Sequence, residues 1–269
     1  MRFGDLDVYK ELLLEKAGVY LSPDKSYILD SRLGPVAAKW GYPSIASMTV
    51  ALHGIAEPGL IKDVVEAVID HDTQFIGERE TLMPLGNIVL PNLVRARKSS
   101  RRLRLWHAGC GAGQEPYSIA MYLKENKARL GGLKPDIVAT DLSTDSLNTA
   151  RAAIYSQAEV QRGLPVHFLL RYFKQKPDGW HLKKSVQSMV AFHAANLLDP
   201  FTSLGEFDLV FCRGVLPHIA FELQPRIIAN ITRQIAAGGY LFLHPDETLP
   251  DNHGSGLKPV SGCRGLYTR

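Results

Sequence analysis

Leu105-Trp-His-Ala-Gly-Cys-Gly-Ala-Gly-Gln-Glu-Pro-Tyr-Ser118 is the stretch on which the fold turns. Leu103, Leu105 and Trp106 form a short apolar run of the kind that makes a buried parallel strand. Gly109, Gly111 and Gly113 follow, with backbone freedom and room for close approach. Pro116 suits the first turn of a helix, where its missing N–H is no loss, and Ile119, Ala120, Met121 and Leu123 give that helix an apolar side. Strand, glycine turn and helix in this order are what a nucleotide-type site requires. On these residues alone a purely structural turn remains open.

Downstream, Asp136-Ile-Val-Ala-Thr140 reads as a second apolar strand ending at Asp141, and Asp145 to Ala153 reads as a helix. With the glycine turn this makes a β-α-β unit, which goes with a parallel sheet and a right-handed crossover. Asp141 stands where a ribose would present its hydroxyls, and it also suits the cap of the next helix. Tyr155 to His193 breaks the alternation. There Gly179-Trp-His-Leu-Lys-Lys and Met189-Val-Ala-Phe192 suggest a small antiparallel excursion. A strand over Phe207–Cys212, a helix over Phe221–Ala237 stopped by Gly238-Gly239, and a strand over Tyr240–Leu243 restore the pattern, and Leu257–Val260 with Gly265–Tyr267 suggests a closing hairpin.

Upstream, residues 1–72 read as helical, with one segment ended by Gly18, a second opened at Ser22-Pro23 and weakened at Gly34-Pro35, and two shorter ones over Ser44–His53 and Pro58–Asp70. Lys25, Arg32 and Lys39 recur every seven residues, a stripe that serves either docking or a solvated face. The chain has 269 residues and a net charge of +4, yet residues 1–72 hold seven Lys/Arg against eleven Asp/Glu. That part is net −4, so the remainder is net +8. The basic remainder admits an acidic substrate, but no aromatic–basic interleaving points to nucleic acid. No run approaches the roughly 18 to 20 apolar residues of a membrane span, and the start lacks a basic-then-apolar leader, so a cytoplasmic protein is expected. Cys110, Cys212 and Cys263 form no C-x-x-C pair, and buried free thiols are expected rather than a disulfide or zinc site. No histidine spacing suggests a metal.

Taken together these residues resemble the chemotaxis receptor methyltransferase (CheR) family, which methylates glutamate side chains of chemoreceptors with S-adenosyl-L-methionine. Lys25-Ser-Tyr-Ile-Leu-Asp-Ser-Arg-Leu33 is similar to the family's N-terminal helical domain, and Ala108-Gly-Cys with Gly113-Gln-Glu-Pro-Tyr-Ser118 to its A-G-C-S-T-G-E-E-P-Y-S cofactor loop. Ala139-Thr-Asp141, Arg171-Tyr-Phe173, Asn196-Leu-Leu198, Phe211-Cys-Arg213 and Gly239-Tyr-Leu-Phe-Leu243 follow in the family's order. The resemblance implies cofactor contacts at Thr73, Ala108, Gly109, Cys110, Glu115, Asp141, Asn196, Leu197, Gly214 and Val215. It makes the excursion the family's β-subdomain. Residues 174–186 are short for the loop that grips a receptor's C-terminal pentapeptide, so no such tether is expected.

The chain departs from the family at several positions. T-x-F-F-R-E becomes Thr73-Gln-Phe-Ile-Gly-Glu78, with Gly77 for the arginine; Arg79 returns to the same face if the segment is extended. C-R-N-V-x-I-Y-F becomes Cys212-Arg-Gly-Val-Leu-Pro-His-Ile219, so Gly214 lacks an amide and His218 stands for a tyrosine. G-H-S-E becomes His244-Pro-Asp-Glu247, and Gln114 replaces a glutamate. The chemistry itself needs no general base: a glutamate carboxylate, with a pKa of about 4.3, is already ionised at neutral pH and attacks a sulfonium methyl in line. The site must align it and exclude water, and Arg79, Arg213 and His218 are the candidates for orienting it.

The expected architecture is α/β: an N-terminal all-α domain over residues 1–72, a junction over 73–102, and a Rossmann-like class I methyltransferase sheet over 103–269 with a β-subdomain insertion at 156–193. The expected function is S-adenosyl-L-methionine-dependent methylation of glutamates on a chemoreceptor or related signalling protein. Its rival is a catalytically degenerate module that keeps the fold and acts by binding. A methyltransferase of small molecules or nucleic acid fits less well, because the N-terminal helical domain is particular to the receptor enzymes.

Overall fold

The computed structural model describes residues 3–21, 26–54, 56–69, 73–76, 81–97, 101–201, 204–250 and 254–269. They fall into two compact units, Met1–Asp70 with Pro217–Gln224, and His71–Leu216 with Pro225–Arg269.

The first unit is helical: α1 (Phe3–Ala17), α2 (Ser26–Lys39), α3 (Ile45–Leu52) and α4 (Pro58–Val68). Tyr9 and Leu13 of α1, Leu29 and Leu33 of α2, Met48 of α3 and Leu60 and Val64 of α4 recur at helical spacing and are buried. Gly18, at φ +68°, closes α1, and its N–H donates to Leu14 O at 3.0 Å. Ser44 and Ser47 cap α3 reciprocally, and Pro58 opens α4 at its first turn. The expected weak point at Gly34-Pro35 does not break α2, because the buried Leu29, Leu33, Val36 and Ala37 hold both sides of the proline. Of the basic stripe, Arg32 donates to Val68 O and Ile69 O, and Lys39 pairs with Asp63 at 2.7 Å, so both serve the unit's own packing. Lys25 lies outside the described residues. A bridge between Val19 and Ile219 ties Pro217–Gln224 into this unit, with Tyr20 N–H donating to His218 O at 2.9 Å.

Among the described residues the second unit holds ten strands: β1 (Arg102–Ala108), β2 (Lys134–Asp141), β3 (Ile154–Tyr155), β4 (Phe173–Lys176), β5 (Gly179–Leu182), β6 (Val190–Ala194), β7 (Phe207–Phe211), β8 (Ile235–Phe242), β9 (Lys258–Pro259) and β10 (Leu266–Thr268). The helices are α5 (Leu90–Ala96), α6 (Gln114–Glu125), α7 (Thr144–Ala152), α8 (Gln157–Gln161), α9 (Val166–Tyr172), α10 (Lys184–Gln187) and α11 (Gln224–Arg233). The main sheet runs β6-β2-β1-β7-β8-β10-β9. Its first five strands are parallel, and β10 and β9 close one edge antiparallel. The chain steps from β1 to β2 on one side and later returns to β7 on the other, so the order reverses at β1. In a doubly wound sheet the crevice at the carboxyl ends beside such a switch point is where ligands bind.

Every residue of β7 is buried, as expected of a central parallel strand covered on both faces. Its one carboxylate, Asp208, accepts from Arg97 Nε at 2.6 Å and from Arg104 N–H at 2.9 Å. Phe75, Ile76, Leu82, Leu85, Val89, Leu90 and Leu93, from the stretch read as a junction, belong to one hydrophobic cluster with Leu103, Leu105, Ile119 and Phe211.

Four expectations need correction. Met189–Phe192 is not part of the antiparallel excursion: β6 pairs parallel with β2 at the edge of the main sheet, and the excursion is the separate sheet β3-β5-β4. An apolar run of that length does not distinguish the two pairings. The helix read over Phe221–Ala237 is a short 3-10 turn, Phe221–Leu223, followed by α11, and β8 already begins at Ile235. Gly238-Gly239 is no helix stop but a bulge inside β8, where Gly238 has φ +72° and a Cβ on Gly239 would meet Ala236 O at 2.8 Å and Asp208 O at 2.9 Å. Of the thiols, Cys110 and Cys212 are buried, whereas Cys263 is only partly so.

Candidate active site

The turn after β1 is held open by its own backbone. Gly109 and Cys110 both donate N–H bonds to Thr140 O, at 2.9 and 3.0 Å, and Gly111 N–H donates to Asp141 Oδ2 at 2.7 Å. Gly109, Gly111 and Gly113 have φ of +78°, +51° and +88°. A Cβ on Gly109 would lie 2.6 Å from Val215 Cγ2, and one on Gly111 would lie 2.3 Å from Thr73 Cγ2. These glycines are therefore required both by conformation and by close approach. Gly113 sits at the N-cap of α6, whose first turn carries Glu115. Ala108 and Cys110 are buried, and burial with the nearby Asp141 charge pushes the Cys110 thiol up, so it is a neutral packing group.

The other expected contacts stand at the same end of the sheet. Asp141 closes β2; its Oδ2 takes the Gly111 N–H and its Oδ1 the Ser143 N–H at 2.9 Å. Each oxygen thus retains a lone pair. Thr73 donates to Gln114 Oε1 at 2.6 Å. Asn196, after β6, accepts the Leu198 N–H through Oδ1 at 3.0 Å, and Leu197 O accepts from Asn230 at 3.2 Å. After β7, Gly214 at φ +68° donates its N–H to Glu247 Oε2 at 3.0 Å.

Arg213 forms an ion pair with Glu115 at 2.9 Å, donates to Thr81 Oγ1 at 2.6 Å and reaches Leu243 O at 3.4 Å. Its side chain is 9% exposed. Three acceptors and this burial make it a strut between α6 and the loops after β7 and β8. Burial pushes the Glu115 carboxyl up, against the downward pull of Arg213. His107, also at this end of β1, stacks on Phe211 at 4.5 Å with both ring nitrogens buried and unpartnered. Burial, and then the Arg213 charge, hold it down to about 3, so the ring is neutral. His218 belongs to the first unit, and Arg79 and Gly77 lie outside the described residues. Sequence reasoning missed Thr81, His107 and the clamp made by Glu247; only Glu247 carried a signal, as the surviving residue of the G-H-S-E motif. Among the described residues no cluster of His, Cys, Asp and Glu is arranged to hold a metal, and no helix is long and apolar enough to cross a membrane.

A parallel sheet with a glycine turn after its first strand, a carboxylate closing the second and further polar groups clustered at the strand ends defines a doubly wound α/β protein with a nucleotide-type ligand site. Residues 71–262 match the family model described as CheR methyltransferase, SAM binding domain. The chain is 38% identical over 257 residues to chemotaxis protein methyltransferase 1 of Pseudomonas aeruginosa, covering 93% of each chain. It is 37% identical over 262 residues to chemotaxis protein methyltransferase Cher2 of Pseudomonas putida, covering 94% of this chain and 95% of that one. With a chemotaxis protein methyltransferase of Vibrio parahaemolyticus it shares 31% over 244 residues, 90% of this chain and 88% of that one. The chain belongs to the CheR methyltransferase family, and its cofactor is S-adenosyl-L-methionine. The donor set fits that molecule: a carboxylate with lone pairs to spare for a ribose diol, and a turn from which side chains are excluded by φ and by contact.

Proposed function

We propose that this protein methylates the side-chain carboxylate of glutamates in a chemoreceptor or a related signalling protein. The observation that carries the reading is near-full-length similarity, above a third identical, to chemotaxis protein methyltransferases. The cofactor supplies an electrophilic methyl group on a sulfonium. In this reading Thr73, Ala108, Gly109, Cys110, Glu115, Asp141, Asn196, Leu197, Gly214 and Val215 form the cofactor's bed, with Asp141 on the ribose. For Arg79 and His218, the orienting role on the acceptor carboxylate is assigned by the family resemblance alone. Arg213, engaged by Glu115 and Thr81, fixes α6 and the loop after β7 rather than meeting the substrate. Positioning and exclusion of water do the work, because the nucleophile is already ionised.

The protein acts in the cytoplasm on the receptor's cytoplasmic part, without a pentapeptide tether and without nucleic acid. The hairpin between β4 and β5 is consistent with this, having only Pro177-Asp178 as its turn. Residues 1–72 form the accessory domain; β4 and β5 lie within the 156–193 insertion, and β3, which pairs with β5, comes from the residues just before it. The test is calorimetric titration with S-adenosyl-L-methionine and S-adenosylhomocysteine, followed by labelled-methyl transfer to receptor cytoplasmic fragments. Cofactor binding without transfer to any fragment would overturn the substrate assignment.

A further inference from the structure

The buried charges at the carboxyl ends of β7 and β8 do not cancel. Glu115 and Arg213 contribute one charge of each sign. Glu247 is 7% exposed, and its Oε2 accepts the N–H groups of Gly214 at 3.0 Å and His244 at 2.7 Å. Its Oε1 is buried without a hydrogen-bond partner. Among the described residues no ion pair reaches this carboxylate. Burial pushes the Glu115 carboxyl and the Cys212 thiol up, and the nearby Glu247 charge adds to the push on both. Asp141, the other carboxylate at this end of the sheet, is only partly buried and so better screened.

A buried carboxylate paired only with backbone N–H groups is unfavourable on its own account. It becomes useful where a cation arrives and is then consumed. Methyl transfer breaks the methyl–sulfur bond of the sulfonium, leaves the electron pair on sulfur and forms the ester C–O bond, so the cofactor loses one positive charge as it becomes the thioether product. We infer that Glu247 is a specificity-determining residue that favours the sulfonium cofactor over its neutral thioether product, weakening the hold on product relative to cofactor. This rests on the reading of the pocket as the cofactor site. The clamp on Gly214 and His244 serves the same end by fixing the carboxylate beside the loop after β7.

The test is calorimetry of S-adenosyl-L-methionine and S-adenosylhomocysteine with the full-length protein, read as the ratio of their Kd values. The two molecules differ only in the methyl on sulfur and the charge it creates, so the change in the ratio between wild type and variant reads the charge. Glu247→Gln keeps the size and the acceptor for both N–H groups but removes the charge. It is expected to raise the Kd of the cofactor relative to that of the product severalfold to about tenfold, the range a single unit charge supplies where the effective dielectric is near 20. Glu247→Asp keeps the charge and leaves the ratio near that of the wild type. An unchanged ratio in Glu247→Gln, or an equal shift in Glu247→Asp, overturns the inference. Should Glu247→Gln lack a cooperative thermal transition, Glu247→Ala decides: its ratio of cofactor to product Kd rises in the same sense, and a ratio that stays put is again contrary. Wild-type protein that binds neither molecule would refute the cofactor reading itself.

Discussion

The two unpartnered nitrogens of His107 make acid stability a direct test of the packing around the site. The ring is 1% exposed, stacked on Phe211 at an interplanar angle of 5°, and held down to about 3 by burial and then by Arg213. In the unfolded chain it titrates near 6.5. The folded state therefore binds fewer protons than the unfolded state between about pH 3 and 6.5. The stability His107 leaves intact above pH 6.5 is progressively lost as pH falls through that window. Between pH 7.5 and pH 5 this loss is about 2 kcal/mol, from one and a half pH units at about 1.4 kcal/mol each. His107→Leu is close in volume, lies on the same strand face as Leu103 and Leu105, and removes two desolvated polar atoms. Urea unfolding of both proteins at pH 7.5 and pH 5 should give the variant a pH-dependent loss smaller by about 2 kcal/mol. Equal losses would refute the assignment of a buried, neutral His107.

Further predictions follow from the turn and its partners. Gly109→Ala forces a side chain into φ +78° with its Cβ 2.6 Å from Val215, so cofactor affinity measured by calorimetry should fall by about tenfold or more. Gly214→Asn meets no heavy atom within 4 Å at its Cβ and keeps a φ of +68° that asparagine tolerates. An amide restored at this position should raise cofactor affinity severalfold, read by calorimetry, with little change in Tm; an unchanged Kd would show that the position does not contact the cofactor. Asp141→Ala should weaken S-adenosyl-L-methionine and S-adenosylhomocysteine by the same factor, roughly 10- to 100-fold, because both carry the ribose diol; unequal losses would place the carboxylate elsewhere on the ligand.

What could be read in the chain was what lies close together in it. β1, the glycine turn and α6 occupy consecutive residues, and Asp141 ends the next strand, so local periodicity and turn chemistry locate them. Glu247 with Gly214, or Arg213 with Glu115 and Thr81, joins residues from 33 to 132 positions apart, and no spacing rule links them. The partner of the strand Val190–Ala194 is not legible in its sequence, because an apolar run says that it is buried but not which neighbour it pairs with. Gly238-Gly239 has the same letters whether it stops a helix or bulges a strand; the approach of Asp208 O, which decides, is tertiary.

The central claim is tested most directly by incubating the purified protein with methyl-labelled S-adenosyl-L-methionine and a chemoreceptor cytoplasmic fragment and measuring base-labile label on the fragment. The account predicts label that mild base releases as methanol and that disappears when the acceptor glutamates are replaced by alanine. Cofactor bound to the protein with no base-labile label on any receptor fragment would contradict it.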